Sequence, residues 1–111
     1  MRIVTGLSVL ENELAQERAA TLGRLGRRLE ATLAALRAHD EARLAQPDVA
    51  PSARDRKARR ELLLEAGEAL WFLVIQRELT GFRHNKDLMR DYRVPKDVQA
   101  CMGPRPPARD E

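Results

Sequence analysis

"LWFLVIQREL" occupies residues 70–79, and its reading decides the fold. It is the most apolar stretch of a chain in which 33% of the residues are charged, and it breaks off into Gln76, Arg77 and Glu78. A helix turns by about 100° per residue, so Leu62, Ala66, Ala69 and Leu73 fall within an arc of about 60°, the pattern of a core face. Leu70 and Val74 lie on one flank of that arc. Trp71 and Ile75 stand nearly opposite, and Phe72 fills the remaining gap. Over two turns this helix is apolar all round, which predicts burial on every side. The expectation is that residues 70–79 form the central plug of a helical bundle.

The surroundings support helix and little else. The chain has 111 residues, room for one domain and one modest core. It is 43% hydrophobic but only 4% aromatic, and Ala, Leu, Arg and Glu dominate. That palette favours helix, and no run alternates as a strand would. Twenty basic and 17 acidic side chains leave a net charge of +3, too even a balance to announce nucleic-acid binding. The lone cysteine, Cys101, has no intrachain partner, and a reducing cytoplasm is the expected setting. "MRIVTGLSVLENE" lacks the apolar core of a signal peptide. The longest apolar run is Ala69 to Ile75, against the roughly 20 residues of a membrane span, so no membrane is expected.

Working outward from the block, helices can be laid along the chain. "SVLE" at Ser8 to Glu11 fits a capping box and predicts the first helix start. Leucines at 10, 14, 22, 25, 29, 33 and 36 then draw one stripe, interrupted by Arg18, whose stem can lie along the seam while its charge reaches water. Gly23 and Gly26 inside this helix are either a tolerated weakness or points where another backbone comes close. The helix should end between Asp40 and Gln46, after about 50 Å. Residues 46–52 form a linker punctuated by Pro47 and Pro51. Ser52 reads as an N-cap with Asp55 completing an imperfect capping box. A second helix should run from Ala53 to Thr80 and stop at Gly81. "HNKDLMRDY" predicts a short helix capped by Asn85 or His84, with Leu88, Met89 and Tyr92 inward. "VPKDVQACMG" predicts another, with Pro95 at its first position, Val98 and Met102 on one face, and Gly103 as its stop.

The expected fold is therefore all-α: a long helical hairpin with two short C-terminal helices. Residues 8–103 make one helical domain, after a lead-in of residues 1–7 and before a disordered or extended tail of residues 104–111. Such an object has a large lateral surface for its core volume. A second copy supplies the missing wall most simply, giving a homodimeric helical bundle. Leu14, Leu22, Leu25, Leu29, Leu62, Leu70, Trp71 and Leu73 would carry its core and interface.

Motifs for chemistry are sparse. His39 and His84 are far apart, and no Cys or His cluster has metal-ligand spacing. No glycine-rich loop cradles phosphate, and no serine sits in a nucleophile elbow. The expectation is no catalytic activity and no cofactor. Three polar features stand out. Arg77, Arg83, His84 and Lys86 in "RELTGFRHNKD" could form an anion or partner corner at the start of a helix, or merely cap and solvate it. "ARDRKARR" (residues 53–60) could meet phosphate or an acidic protein, although pairing with Glu61, Glu65 and Glu68 is the simpler expectation. Residues 85–103 have the cadence of a DNA-binding helix-turn-helix, with Lys96 and Gln99 as contacts. Against that stand Arg93 where a small residue is usual, the four-residue step from Val94 to Val98, and the acids Asp87, Asp91 and Asp97.

"LGRLGRRLEATLAALRAHD" and "ALWFLVIQRELTGFRHNKDLMRDYRVPKDVQACMG" together resemble a family of small alphaproteobacterial proteins, a domain of unknown function. The resemblance covers residues 8–45 and 62–103 and is most specific at Trp71, at Gln76 to Glu78 and at Tyr92 to Pro95. It implies a bacterial, cytoplasmic helical protein and transfers no catalytic residue. The leading expectation is a homo-oligomeric protein-interaction module whose partner is itself and possibly another protein. A DNA-binding regulator using residues 85–103 is the alternative.

Overall fold

The computed structural model describes residues 5–107. Residues 1–4 of the lead-in and 108–111 of the tail lie outside the described residues. Among the described residues there are four helices and no strand: α1 (Gly6–Leu44), α2 (Ala53–Leu79), α3 (Lys86–Asp91) and α4 (Lys96–Ala100). The described chain measures 75 × 32 × 19 Å, with a radius of gyration of 18.9 Å. A compact chain of similar length would have a radius nearer 13 Å, so the elongation expected from the sequence is present.

Local chemistry sets the helix ends. The Ser8 amide donates to the Thr5 hydroxyl at 3.2 Å, so Thr5 is the N-cap and α1 begins before the expected Ser8. Ser8 cannot be the cap because its own amide is already one of the donors that needs an acceptor. The second cap is as expected, and complete. The Asp55 amide donates to the Ser52 hydroxyl at 3.1 Å, and the Ser52 amide donates to the Asp55 carboxylate at 3.0 Å. Gly81, with φ of +97°, turns the chain out of α2. Pro95 is the N-cap of α4 rather than its first residue. Because α4 is already finished at Ala100, Met102 does not share the buried face of Val98 and is exposed.

α1 and α2 form an antiparallel hairpin, and the C-terminal segment folds back over one side of it. The core is wholly aliphatic. Leu29, Leu33 and Leu36 come from α1, and Ala66, Ala69, Leu70, Leu73 and Val74 from α2. Leu88 of α3, Val94 of the turn that follows it and Val98 of α4 complete it. Leu22, Leu25, Leu62, Leu63, Met89 and Tyr92 pack at its margin. Among the described residues no polar or charged residue is buried.

Two glycines admit the C-terminal segment. A Cβ on Gly67 would stand 2.7 Å from the Cys101 carbonyl carbon, and one on Gly26 would stand 2.6 Å from the Tyr92 hydroxyl. Gly26 is thus a point of close approach. Gly23 is not, since a Cβ there would meet only the guanidinium of Arg27 on its own helix, at 3.2 Å. Between α3 and α4 the chain reverses through Arg93, which takes a left-handed φ of +52°. The Val94 amide donates to the Met89 carbonyl at 2.9 Å and the Arg93 amide to the Arg90 carbonyl at 3.1 Å. These are the two bonds of a Schellman stop, in which glycine is the usual left-handed residue.

An ion tie crosses the outside of this packing. Arg59 of α2 grips Asp40 of α1 with two hydrogen bonds of 2.9 and 3.2 Å, and reaches Asp97 of α4 at 2.9 Å. Arg59 belongs to the basic run expected to pair with Glu61, Glu65 and Glu68, but in the structure it pairs with Asp40 and Asp97 and links three helices. The Arg59 hydrogen bond holds the Asp40 carboxyl below the usual carboxylate range.

Gly67→Ala should gain about 1 kcal/mol of helix propensity and lose more than that to overpacking, for a net destabilisation of about 1–2 kcal/mol. Gly23→Ala should be neutral or stabilising, because the Arg27 tip can move aside; thermal denaturation of the two variants compares them. A carboxyl whose folded pKa is depressed contributes stability above its unfolded pKa and loses it as pH falls through the folded one. Both carboxylates are part-exposed, so Arg59→Met should cost only about 1 kcal/mol at neutral pH. That difference from wild type should shrink in melts below about pH 4.

Candidate functional site

The α2 block has two sides. Leu70, Leu73 and Val74 are buried against α1 and the C-terminal segment. Trp71 and Ile75 are half-buried, while Phe72 and Leu79 are exposed, Leu79 by 72%. The expected burial of Trp71 on all sides is therefore not achieved within one chain. The wheel shows apolar residues all round, but among the described helices α2 packs on α1 and α4, which cover only part of its circumference. The exposed aromatics are nonetheless held in place. The Trp71 and Phe72 rings lie 5.2 Å apart and tilted by 47°. The Arg28 guanidinium sits 5.4 Å from the Phe72 centroid and donates to Glu68 at 2.6 Å. That bond from Arg28 holds the Glu68 carboxyl below its ordinary value.

α1 continues past the end of its partner. Residues 5–20 are all exposed. Leu7 is 66% and Leu10 52% exposed, and Leu14 is also open to solvent. These three continue the side of the helix that further along carries Leu25, so the apolar stripe outruns α2. Leu14, expected in the core, lies on this overhang because α2 stops at Leu79 and the chain turns away at Gly81.

At the corner after α2 the expected cluster is only partly assembled. Arg77 stacks 5.1 Å from the Phe82 centroid and donates to the His84 carbonyl at 3.4 Å, clamping the loop to α2. Arg83, His84 and Lys86 are exposed. Asn85 precedes α3 but its side chain makes no capping bond, and its buried Oδ1 and the buried Nε of Arg77 lack partners.

The basic run behaves differently from its expected pairing. Glu61 and Glu65 pair with Arg105 of the tail, and Glu68 pairs with Arg28. Within the run, Arg59 is taken by Asp40 and Asp97, and Arg56 donates to the Pro51 carbonyl at 2.8 Å. The signal missed in the sequence was the pair of aspartates, at 40 and 97, spaced to meet one arginine from either side. In the helix-turn-helix-like segment Lys96 is exposed, whereas Gln99 donates to the Val94 carbonyl at 3.1 Å.

A concavity of about 600 Å³ lies at the closed end of the hairpin, floored by Leu44, Pro47, Val49 and Pro51. Its rim arginines are committed inward. Arg43 donates to the Val49 carbonyl and pairs with Asp55. Among the described residues no group of three or more His, Cys, Asp or Glu is placed to hold a metal ion, and no helix is long and apolar enough to cross a membrane.

The chain belongs to a family of unknown function (DUF6665), whose model matches residues 1–109. No curated protein and no solved structure matches it.

The two-sided block makes its own prediction. Leu70→Ala should cost about 2–5 kcal/mol by opening a cavity in the core. Phe72→Ala, on the exposed side, should cost the isolated chain under about 1 kcal/mol. Denaturant unfolding at low protein concentration measures both.

Proposed function

We propose that this chain is a homo-oligomeric protein-interaction module with no catalytic activity of its own. One observation carries the reading: large apolar side chains stand exposed in two regions that no helix among the described residues covers. Leu7, Leu10 and Leu14 line the overhang, and Phe72, Leu79 and Phe82 line the adjoining end of the hairpin, each at least 40% exposed. Clusters of exposed apolar side chains mark interaction sites. Full burial of one such side chain is worth about 1.5–3 kcal/mol, so several together offset the roughly 4–15 kcal/mol that association costs. The partner that best explains both regions at once is a second copy, because a copy brings the same apolar surface to be covered. Other proteins could share the module through whatever surface the assembly leaves open.

Sedimentation velocity over a wide concentration range tests this. The expected result is a species of twice the chain mass that dissociates on dilution. A monomer persisting to several hundred micromolar would remove the homo-oligomeric reading.

A further inference from the structure

After α4 the chain crosses the outer face of α2. The Cys101 carbonyl lies where a Cβ on Gly67 would stand. Further along, the Arg105 amide donates to the Glu68 carboxylate at 3.3 Å, and the Arg105 guanidinium pairs with Glu61 and, at 3.6 Å, with Glu65. A helix turns by about 100° per residue, so Gly67 stands about 60° to one side of Leu64. Glu68, Glu61 and Glu65 stand about 40°, 60° and 100° to its other side. Leu64 itself points opposite Leu73 of the core. The other way round α2 is taken by the core and α1, so residues 102–104 must pass over Leu64. Its burial agrees. Leu64 is half-buried although it belongs to neither the core nor its margin, whereas Phe72 and Leu79, within about 80° of it on the same outer side, stand exposed.

Charge, not burial, holds this crossing segment. Met102 and residues 104–107 are exposed. Pro104, Pro106 and Pro107 have no amide hydrogen to donate, which leaves the bonds to Arg105. Its ion pairs with Glu61 and Glu65 join side chains that are each at least 40% exposed. Pairs so open to water are weak and are screened by salt. Glu61, Glu65 and Glu68 follow one another in steps of four and three, so without Arg105 they repel along the helix. Arg28 of α1 stays on Glu68 in either case. Between the Cys101 contact and Arg105 stands Gly103, with φ of +154° and open space where a Cβ would be. A glycine there lets the backbone swing with no side chain in the way.

We propose that residues 102–107 are a releasable strap, latched by Arg105 to Glu61, Glu65 and Glu68, whose opening at Gly103 uncovers Leu64 together with that acidic row. Val98 and the Cys101 contact at Gly67 stay in place when the strap lifts, because they lie before the hinge. Leu64 stands on the same outer side of α2 as Trp71, Phe72 and Ile75, so release extends the apolar surface of that side towards the N-terminus of the helix. The strap acts within one chain and does not depend on the homo-oligomeric reading.

Thiol labelling of the full chain tests the strap. Leu64→Cys in a Cys101→Ser background places one thiol under it, and an uncharged maleimide reads its exposure. Adding Arg105→Glu should speed labelling at least about fivefold, and so should raising salt to about 1 M in the chain that keeps Arg105. Arg105→Lys keeps the cation and should stay within about twofold of the latched rate. A carboxylate brought near a thiol disfavours the reactive thiolate, so faster labelling in Arg105→Glu reports uncovering and not electrostatics. The helical signal of every variant should match that of the latched chain, since Arg105 lies outside the helices. Labelling indifferent to both Arg105→Glu and salt overturns the proposal. Equal acceleration by Arg105→Lys and Arg105→Glu overturns the charge latch. Loss of helical signal in Arg105→Glu makes the segment part of the fold and not a releasable strap, and overturns it as well.

Discussion

Gly67 presents bare backbone where the Cys101 carbonyl meets α2, between Ala66 and Ala69 on the same small-residue stretch. A glycine inside a helix costs about 1 kcal/mol relative to alanine, and here that cost admits a second element to a helix already packed on α1. With the backbone of α4 this close, Val98 reaches the aliphatic core and Asp97 comes within 2.9 Å of Arg59. Arg59 in turn holds Asp40, so one close contact fixes the relative positions of three helices. The core contributes no such specificity, since its buried side chains are hydrocarbon and no polar group within it marks a register. Register is written instead in two glycine contacts and in an ion tie at the perimeter.

The same arrangement determines what is left uncovered. After Gly81 the described chain meets the hairpin at Gly26 and Gly67 and, through Arg105, at Glu61, Glu65 and Glu68 of α2. Phe72 and the leucines in the first turns of α1 stay exposed. α1 takes 39 residues and outruns the 27-residue α2, so its first turns have no helix of the described residues beside them. That exposed apolar surface supports the reading of this protein as a module completed by association.

Much of this was legible in the sequence, for physical reasons. The leucine spacing of α1, the Ser52–Asp55 cap and the stop at Gly81 are local signals, decided within a few residues, and each appears in the structure. What was not legible depends on partners distant in sequence. Nothing near Gly67 announces that Cys101 will arrive there. Nothing in "ARDRKARR" distinguishes Arg59 from its neighbours until Asp40 and Asp97 converge on it. Trp71 was misplaced because helical periodicity shows which residues share a face but not how many faces the chain can cover. The polar corner was read as one cluster, yet only Arg77 is drawn inward, by the Phe82 ring and the His84 carbonyl, neither of which a charge pattern reveals.

The dependence on Gly67 and Arg59 also imposes an order in time. The hairpin joins neighbours in sequence and can close as soon as α2 exists, since helical hairpins with local contacts form fast. Asp97 and Cys101 lie 38 and 34 residues beyond the α2 positions they meet, Arg59 and Gly67. A chain emerging N-terminus first therefore completes α1 and α2 while Val94 and Val98, which close the core, are still to come. During that interval the small-residue face of α2 is bare, and a nascent hairpin is open on both sides rather than one.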